Sequence, residues 1–152
     1  MILRIETLHE RLRKLRETVR NLREIGSVPR AEFMVSYRHY WLAERGLQLA
    51  AESLFDAGNH LLVGHFNVSP TDYEDVITKL AASKVLSPEL ASRLRGLGGF
   101  RNLLVHAYLE IDEGRVYDAL HTQLDSLIDF ADQLDAFLLR LGAGEPGAER
   151  PK

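Results

Sequence analysis

The sequence contains no cysteine. Disulfides and thiolate metal sites are therefore excluded, and a reducing cytoplasm is the natural compartment. No stretch approaches the roughly 18 consecutive apolar residues that a membrane span requires, so no membrane partner is expected. Arg4, Glu6, His9 and Glu10 interrupt what would otherwise be the apolar segment of a secretory signal. Alternating strand patterns and internal repeats are lacking as well. His9, His39, His60, His65 and His121 form no His-x-His or i,i+4 pair, so no metal is expected. Gly96-Leu97-Gly98-Gly99 lacks the following lysine and the preceding strand of a phosphate-binding loop, so no nucleotide cofactor is implied.

What remains is a chain of 152 residues, 45% hydrophobic and 27% charged, enough for one domain with its own core. Net charge is -3, which argues against a general nucleic-acid coat protein, and no DNA partner is expected. The charge is unevenly spread. Residues 1–30 hold eight basic residues against four acidic ones, a balance of +4. Residues 109–141 hold two basic residues against eight acidic ones, a balance of -6. Such asymmetry can steer a polyanion to one face, or it can mark ordinary solvated helix faces.

Helical period dominates the pattern. Ile5, Leu8, Leu12, Leu15, Val19 and Leu22 recur at three- and four-residue steps, predicting one long helix stopped near Gly26 and Pro29. A second is expected over 31–65, with a kink or early end near Gly58. Ser69-Pro70-Thr71-Asp72 and Ser87-Pro88-Glu89 read as helix starts, giving short helices over 70–83 and 88–97. The glycines at 96, 98 and 99 then break the chain, and a helix restarts over 100–109. The last helix, after Asp112, carries a seam from Val116 to Leu141. The expected fold is all-α: an up-down helical bundle with three long helices and shorter ones between, over residues 1–141. Residues 142–152 are expected to form a disordered tail.

The segment Arg101-Asn102-Leu103-Leu104-Val105-His106-Ala107-Tyr108 is the one most suited to chemistry. On a helix, Arg101, Asn102, His106 and Tyr108 fall within an arc of about 160°, while Leu103, Leu104 and Ala107 face the core. These residue types suit RNA cleavage without a metal. Histidine can take the 2′-hydroxyl proton or protonate the leaving 5′-oxygen. Arginine offers planar paired donors to the charged oxygens of the transition state. Asn102, one turn before His106, can orient the imidazole or bind phosphate. Val105 and Leu109 interrupt this polar arc, which is expected if the face meets a second protomer. A two-fold dimer would then gather two copies of Arg101 and His106 in one cleft. By itself, one arginine and one histidine on a helix is a common and usually structural pattern.

At these residues the chain resembles the HepT family, the HEPN toxins paired with minimal nucleotidyltransferase antitoxins. The family's signature is arginine, four residues, histidine, one residue, tyrosine, met here by Arg101, His106 and Tyr108. Gly99-Phe100-Arg101-Asn102, Leu109-Glu110-Ile111-Asp112, Glu44-Arg45 and the helix start from Pro70 to Tyr73 are also similar. The resemblance implies a HEPN-like bundle and a cytoplasmic endoribonuclease toxin of a type VII HEPN/MNT toxin–antitoxin system. It implies Arg101 and His106 as catalytic residues, with 2′,3′-cyclic phosphate and 5′-hydroxyl products. It further implies tRNA or mRNA as substrate, and Tyr108 as the site that the antitoxin adenylylates. On a continuous helix Tyr108 shares nearly the bearing of Arg101, so an added AMP would compete for the phosphate site. A non-catalytic HEPN companion of a nucleotidyltransferase, holding nucleotide or substrate, is the alternative. Tyr37, Tyr40 and Trp41 are expected in core or dimer contacts, with stacking on bases as the alternative, His60 and His65 at helix ends or the surface, and Glu44-Arg45 in an ion pair or orienting the site.

Overall fold

The computed structural model describes residues 2–144, and at Tyr108 the backbone alone. The tail expected at 142–152 lies outside the described residues beyond Gly144. The elements are α1 (Ile5–Gly26), α2 (Arg30–Val35), α3 (Tyr37–Leu61), α4 (Tyr73–Ala82), α5 (Pro88–Arg93), α6 (Leu97–His106), α7 (Glu113–Thr122) and α8 (Leu124–Gly142). A π-helical turn, Leu62–Phe66, follows α3, and a 3₁₀ turn, Tyr108–Glu110, follows α6. There is no strand among the described residues, and the three long helices are α1, α3 and α8.

The apolar seam of α1 places Leu8, Leu12, Leu15, Val19 and Leu22 in the core. There α1 meets α3 and α8. It runs antiparallel to α3. Leu22 lies against Gly46, Arg11 pairs with Asp56, and the Arg4 amide donates to His60 Nε2 at 3.0 Å. It runs antiparallel to α8 as well. Arg23 pairs with Asp125 at 2.8 Å, and Arg16 with Asp132 at 2.8 Å and Asp135 at 2.6 Å. Arg30 and Asp118, at 2.6 Å, continue the series onto α7. The opposite charges of the two ends of the sequence thus meet each other. Much of the asymmetry is interhelical pairing, not a free basic face. Such exposed pairs are worth about 0–1 kcal/mol each and chiefly favour one helix register.

Several expected boundaries move. The helix expected over 31–65 breaks at Ser36, whose backbone is extended (φ -112°, ψ 105°) and whose carbonyl accepts from the amides of His39 and Tyr40. The break turns α2 so that Phe33 is fully buried against Tyr40 and Tyr117. Helix α3 continues through Gly58, where Val76 and Leu80 of α4 pack, and ends at Leu61, three residues on, where the π-helical turn Leu62–Phe66 takes over. The first of the two short helices starts at Tyr73, not Pro70. Its N-cap is Asp72, whose side chain accepts from the Asp75 amide at 2.7 Å. The second starts as expected, with Ser87 as cap and Pro88 in the first turn, but ends at Arg93. The last helix is two: Asp112 caps α7, and the chain resets at Gln123 before α8.

Candidate active site

Helix α6 starts earlier than the glycines predict. Only Gly96 breaks the chain, at φ +87°, a conformation that an L side chain rarely adopts. Gly98 and Gly99 are already helical. Glu74 of α4 reaches across, and its Oε1 accepts from the amides of Gly96 (3.0 Å) and Gly98 (3.2 Å). A carboxylate there satisfies donors that the first helical turn leaves open and suits the positive helix end. Gly98 sits directly on Tyr73; a Cβ at this position would lie 2.7 Å from the Tyr73 Cβ. Thus α4 fixes both the start and the height of α6.

One turn on, Arg101 is held from three sides. Its Nη2 donates to Glu52 Oε1 of α3 at 3.0 Å, and its Nη1 to Asn102 Oδ1 at 3.2 Å. Its guanidinium carbon lies 5.1 Å from the centroid of the Tyr73 ring, a cation–π arrangement. The side chain is 17% exposed, and Nε is buried without a hydrogen-bond partner. Gln48 Nε2 also donates to Glu52 Oε1, at 3.0 Å. The Gln48 hydrogen bond, opposed by burial and joined by the bond and charge of Arg101, holds the Glu52 carboxyl below its ordinary value. Glu52 is therefore a charged anchor at neutral pH. It was not among the sequence candidates. The signal was present: a lone acid in the apolar run from Leu49 to Phe55, on a helix buried at Ala50, Ala51, Ser53, Leu54 and Phe55.

Asn102 is exposed and bonds Arg101; no hydrogen bond links it to His106. His106 is the last residue of α6, exposed, and without a hydrogen bond or ion pair among the described residues. Arg101, Asn102 and His106 thus share one helix, as expected. The expectation of a helix through Leu109 fails. Ala107 leaves helical geometry (φ -118°, ψ 45°), and Tyr108–Glu110 form a 3₁₀ turn. The common bearing of Arg101 and Tyr108 read from a continuous helix is lost with it, and the position of the Tyr108 side chain lies outside the described residues. Leu109 stands 86% exposed.

Tyr40 packs on Phe33, but Tyr37 and Trp41 are exposed and lie edge-on to each other, beside exposed Val35 and Leu42. His65 is not at the surface: it is buried against Phe66 and Phe137. His60 is half-buried, and burial first, then the charges of Arg11 and Arg4, pushes its imidazole below its ordinary value. Glu44 is pushed up, by burial first and then by Glu113; Glu52, two turns on, is the acid that holds the site arginine. No group of three metal-binding side chains occurs among the described residues, and no helix there is long and apolar enough to cross a membrane.

Comparison with known proteins agrees with this architecture. The family model described as ribonuclease HepT-like matches residues 6–134. The chain is 27% identical over 135 residues to the tRNA nuclease HepT of Aphanizomenon flos-aquae, covering 88% of this chain and 91% of that protein. It is 28% identical over 90 residues to the mRNA nuclease HepT of Shewanella oneidensis, covering 59% of this chain and 68% of that protein. Among solved structures, it resembles the tri-AMPylated HEPN toxin of Shewanella oneidensis in complex with its MNT antitoxin. That match has a TM-score of 0.76 and 21% identity, and covers 86% of this chain and 97% of the other.

Proposed function

This chain belongs to the ribonuclease HepT-like family, and from that premise we propose that it is an endoribonuclease toxin that cuts RNA with Arg101 and His106. The observation that carries this is Arg101, held on α6 by Glu52 and Asn102 with donors to spare, five residues before an exposed and unengaged His106. One histidine removes the 2′-hydroxyl proton, the 2′-oxygen attacks phosphorus, and the P–O5′ bond breaks as a second acid protonates the leaving oxygen. Arg101 stabilises the charge on the non-bridging oxygens. The products are a 2′,3′-cyclic phosphate and a 5′-hydroxyl. One relative is named as a tRNA nuclease and another as an mRNA nuclease, so both RNA classes are substrates to test.

Two histidine roles call for two protomers. Exposed Leu109 and half-buried Val105, close in sequence to the polar residues of the site, support a homodimer whose seam runs beside Arg101 and His106. A nucleotidyltransferase antitoxin is the proposed partner, and Tyr108 the residue it adenylylates. The AMPylated toxin–antitoxin complex among the structural neighbours supports both. His106, Leu109 and Glu110, which flank Tyr108 in the sequence, are exposed, which supports a modification site open to a second protein.

The Arg101–Glu52 ion pair favours a second reading. A guanidinium already neutralised could bind a nucleotide without cleaving it, as in a non-catalytic companion of a nucleotidyltransferase. Cleavage of total RNA in EDTA, by the unmodified chain and by His106→Ala, separates the two. Cutting with cyclic-phosphate ends that is lost in His106→Ala supports the ribonuclease. No cutting, by protein shown by mass spectrometry to lack AMP, overturns it. A monomer by light scattering across a wide concentration range would remove the shared cleft.

A further inference from the structure

A cleft of about 400 Å³ opens beside the Arg101 guanidinium, between α3, α4 and α6. Two residues belong to both places. Asn102 lines the cleft and accepts from Arg101, and Tyr73 lines the cleft and lies under the same guanidinium. The two sites are therefore contiguous, and a nucleotide with its phosphate at Arg101 has its base next to the cleft.

The lining has a definite chemistry. Phe55 and Val76 are buried and, with Tyr73, make an apolar floor. The polar side chains are Asp56, Asn59, Thr71, Asp72 and Asn102, of which Thr71 gives its hydroxyl to Asp75. Asp72 spends only Oδ1 on capping α4. Asp56 is largely exposed, and among the described residues its one ion pair, with Arg11, is at 4.0 Å. Two carboxylates repel a phosphate, so the RNA backbone does not belong here. Ionised carboxylates only accept hydrogen bonds, so the occupant must bring N–H donors on a flat, partly apolar body. A splayed base of single-stranded RNA has that shape. Guanine presents N1–H and its amino group side by side, matching one carboxylate with two bonds. Uracil offers a single N–H between two carbonyl oxygens, which face the carboxylates unfavourably.

We propose, resting on the ribonuclease reading above, that the cleft lined by Asp56, Asn59 and Asp72 is a base-specificity subsite that takes an amino-bearing base, guanine best, next to the scissile phosphate. It selects where the RNA is cut, while Arg101 and His106 perform the cut. Asn102 joins the two, holding Arg101 with its oxygen and leaving its amide N–H groups to the base.

The test uses the full chain carrying His106→Ala, with and without Asp56→Asn and Asp72→Asn together. An asparagine still caps α4 through its oxygen, and position 56 is exposed, so the fold is kept. Binding of guanosine 5′-monophosphate, uridine 5′-monophosphate and inorganic phosphate is measured by calorimetry. A good bidentate contact discriminates by about tenfold, so guanosine monophosphate should bind about ten times more tightly than the uridine form. In the double variant the ratio should fall to near unity or invert, because carboxamide N–H groups oppose guanine and favour uracil. Equal binding of all three probes, or a preference that survives both substitutions, overturns the subsite. In parallel, cleavage of a randomised single-stranded RNA by protein retaining His106 should show a base preference at the cut, altered by the same substitutions. Cleavage without any preference rejects the subsite and keeps the ribonuclease. Base-selective binding that the double variant loses, with no cleavage by protein retaining His106, keeps the subsite and rejects the ribonuclease.

Discussion

The Arg101 guanidinium carries five N–H donors, and the fold uses two of them, on Glu52 and Asn102. Glu52 fixes where the remaining donors point, and Gln48 fixes Glu52. We expect Glu52→Gln to lower RNA cleavage by about tenfold to a hundredfold, mostly in kcat, because a misplacement on the order of 1 Å is that costly. Single-turnover kinetics would check it, and unchanged kcat would show that Arg101 needs no such anchor. The sign of the pH effect follows from the depressed Glu52 carboxyl. Its contribution is complete above the ordinary glutamate value and is lost as pH falls through the lower folded value. The Arg101–Glu52 pair therefore stays intact at neutral pH. His106 differs, since among the described residues its imidazole has no hydrogen-bond or ion-pair partner to set its orientation.

At the scale of the element, α6 depends on α4 more than on its own sequence. It begins at a left-handed glycine, its first amides are satisfied by Glu74, and its path over Tyr73 requires Gly98. Gly98→Ala would place a methyl group 2.7 Å from the Tyr73 Cβ. Relief must move backbone, since neither atom lies at the end of a flexible chain. We expect a loss of about 1–3 kcal/mol in chemical denaturation, together with reduced cleavage because Tyr73 supports Arg101. Stability within about 0.5 kcal/mol of the parent would show that the helices slide apart freely. Gly99→Ala is the control, since nothing lies within 4 Å of its added Cβ.

For the whole molecule, two antiparallel seams hold α1 to α3 and α8, and exposed ion pairs mark the second. The start of the chain is docked by the Arg4 amide on His60 Nε2, a bond that requires the neutral ring. The folded His60 value lies below the ordinary one, so its contribution is complete above pH about 6.5 and is lost as pH falls through the folded value. Between pH 7.5 and 5.5 the melting temperature of the parent should fall more than that of His60→Gln. Parallel curves for the two proteins would assign the acid sensitivity to other groups.

The helical class, the seam of α1, the Ser87 cap, the start of a helix after Asp112 and the placement of Arg101, Asn102 and His106 on one helix were legible in the sequence. Each depends on local period or local capping, which act within a few residues. The break at Ser36, the passage of α3 through Gly58 and the early start of α6 were not legible. They are decided by Phe33, Val76 and Glu74 finding partners far away in the chain. The anchoring of Arg101 by Glu52 is of the same kind, as is the cleft beside it. A sequence states which side chains a helix presents. Only packing decides which of them meet, because contacts between residues about fifty positions apart depend on how whole helices cross.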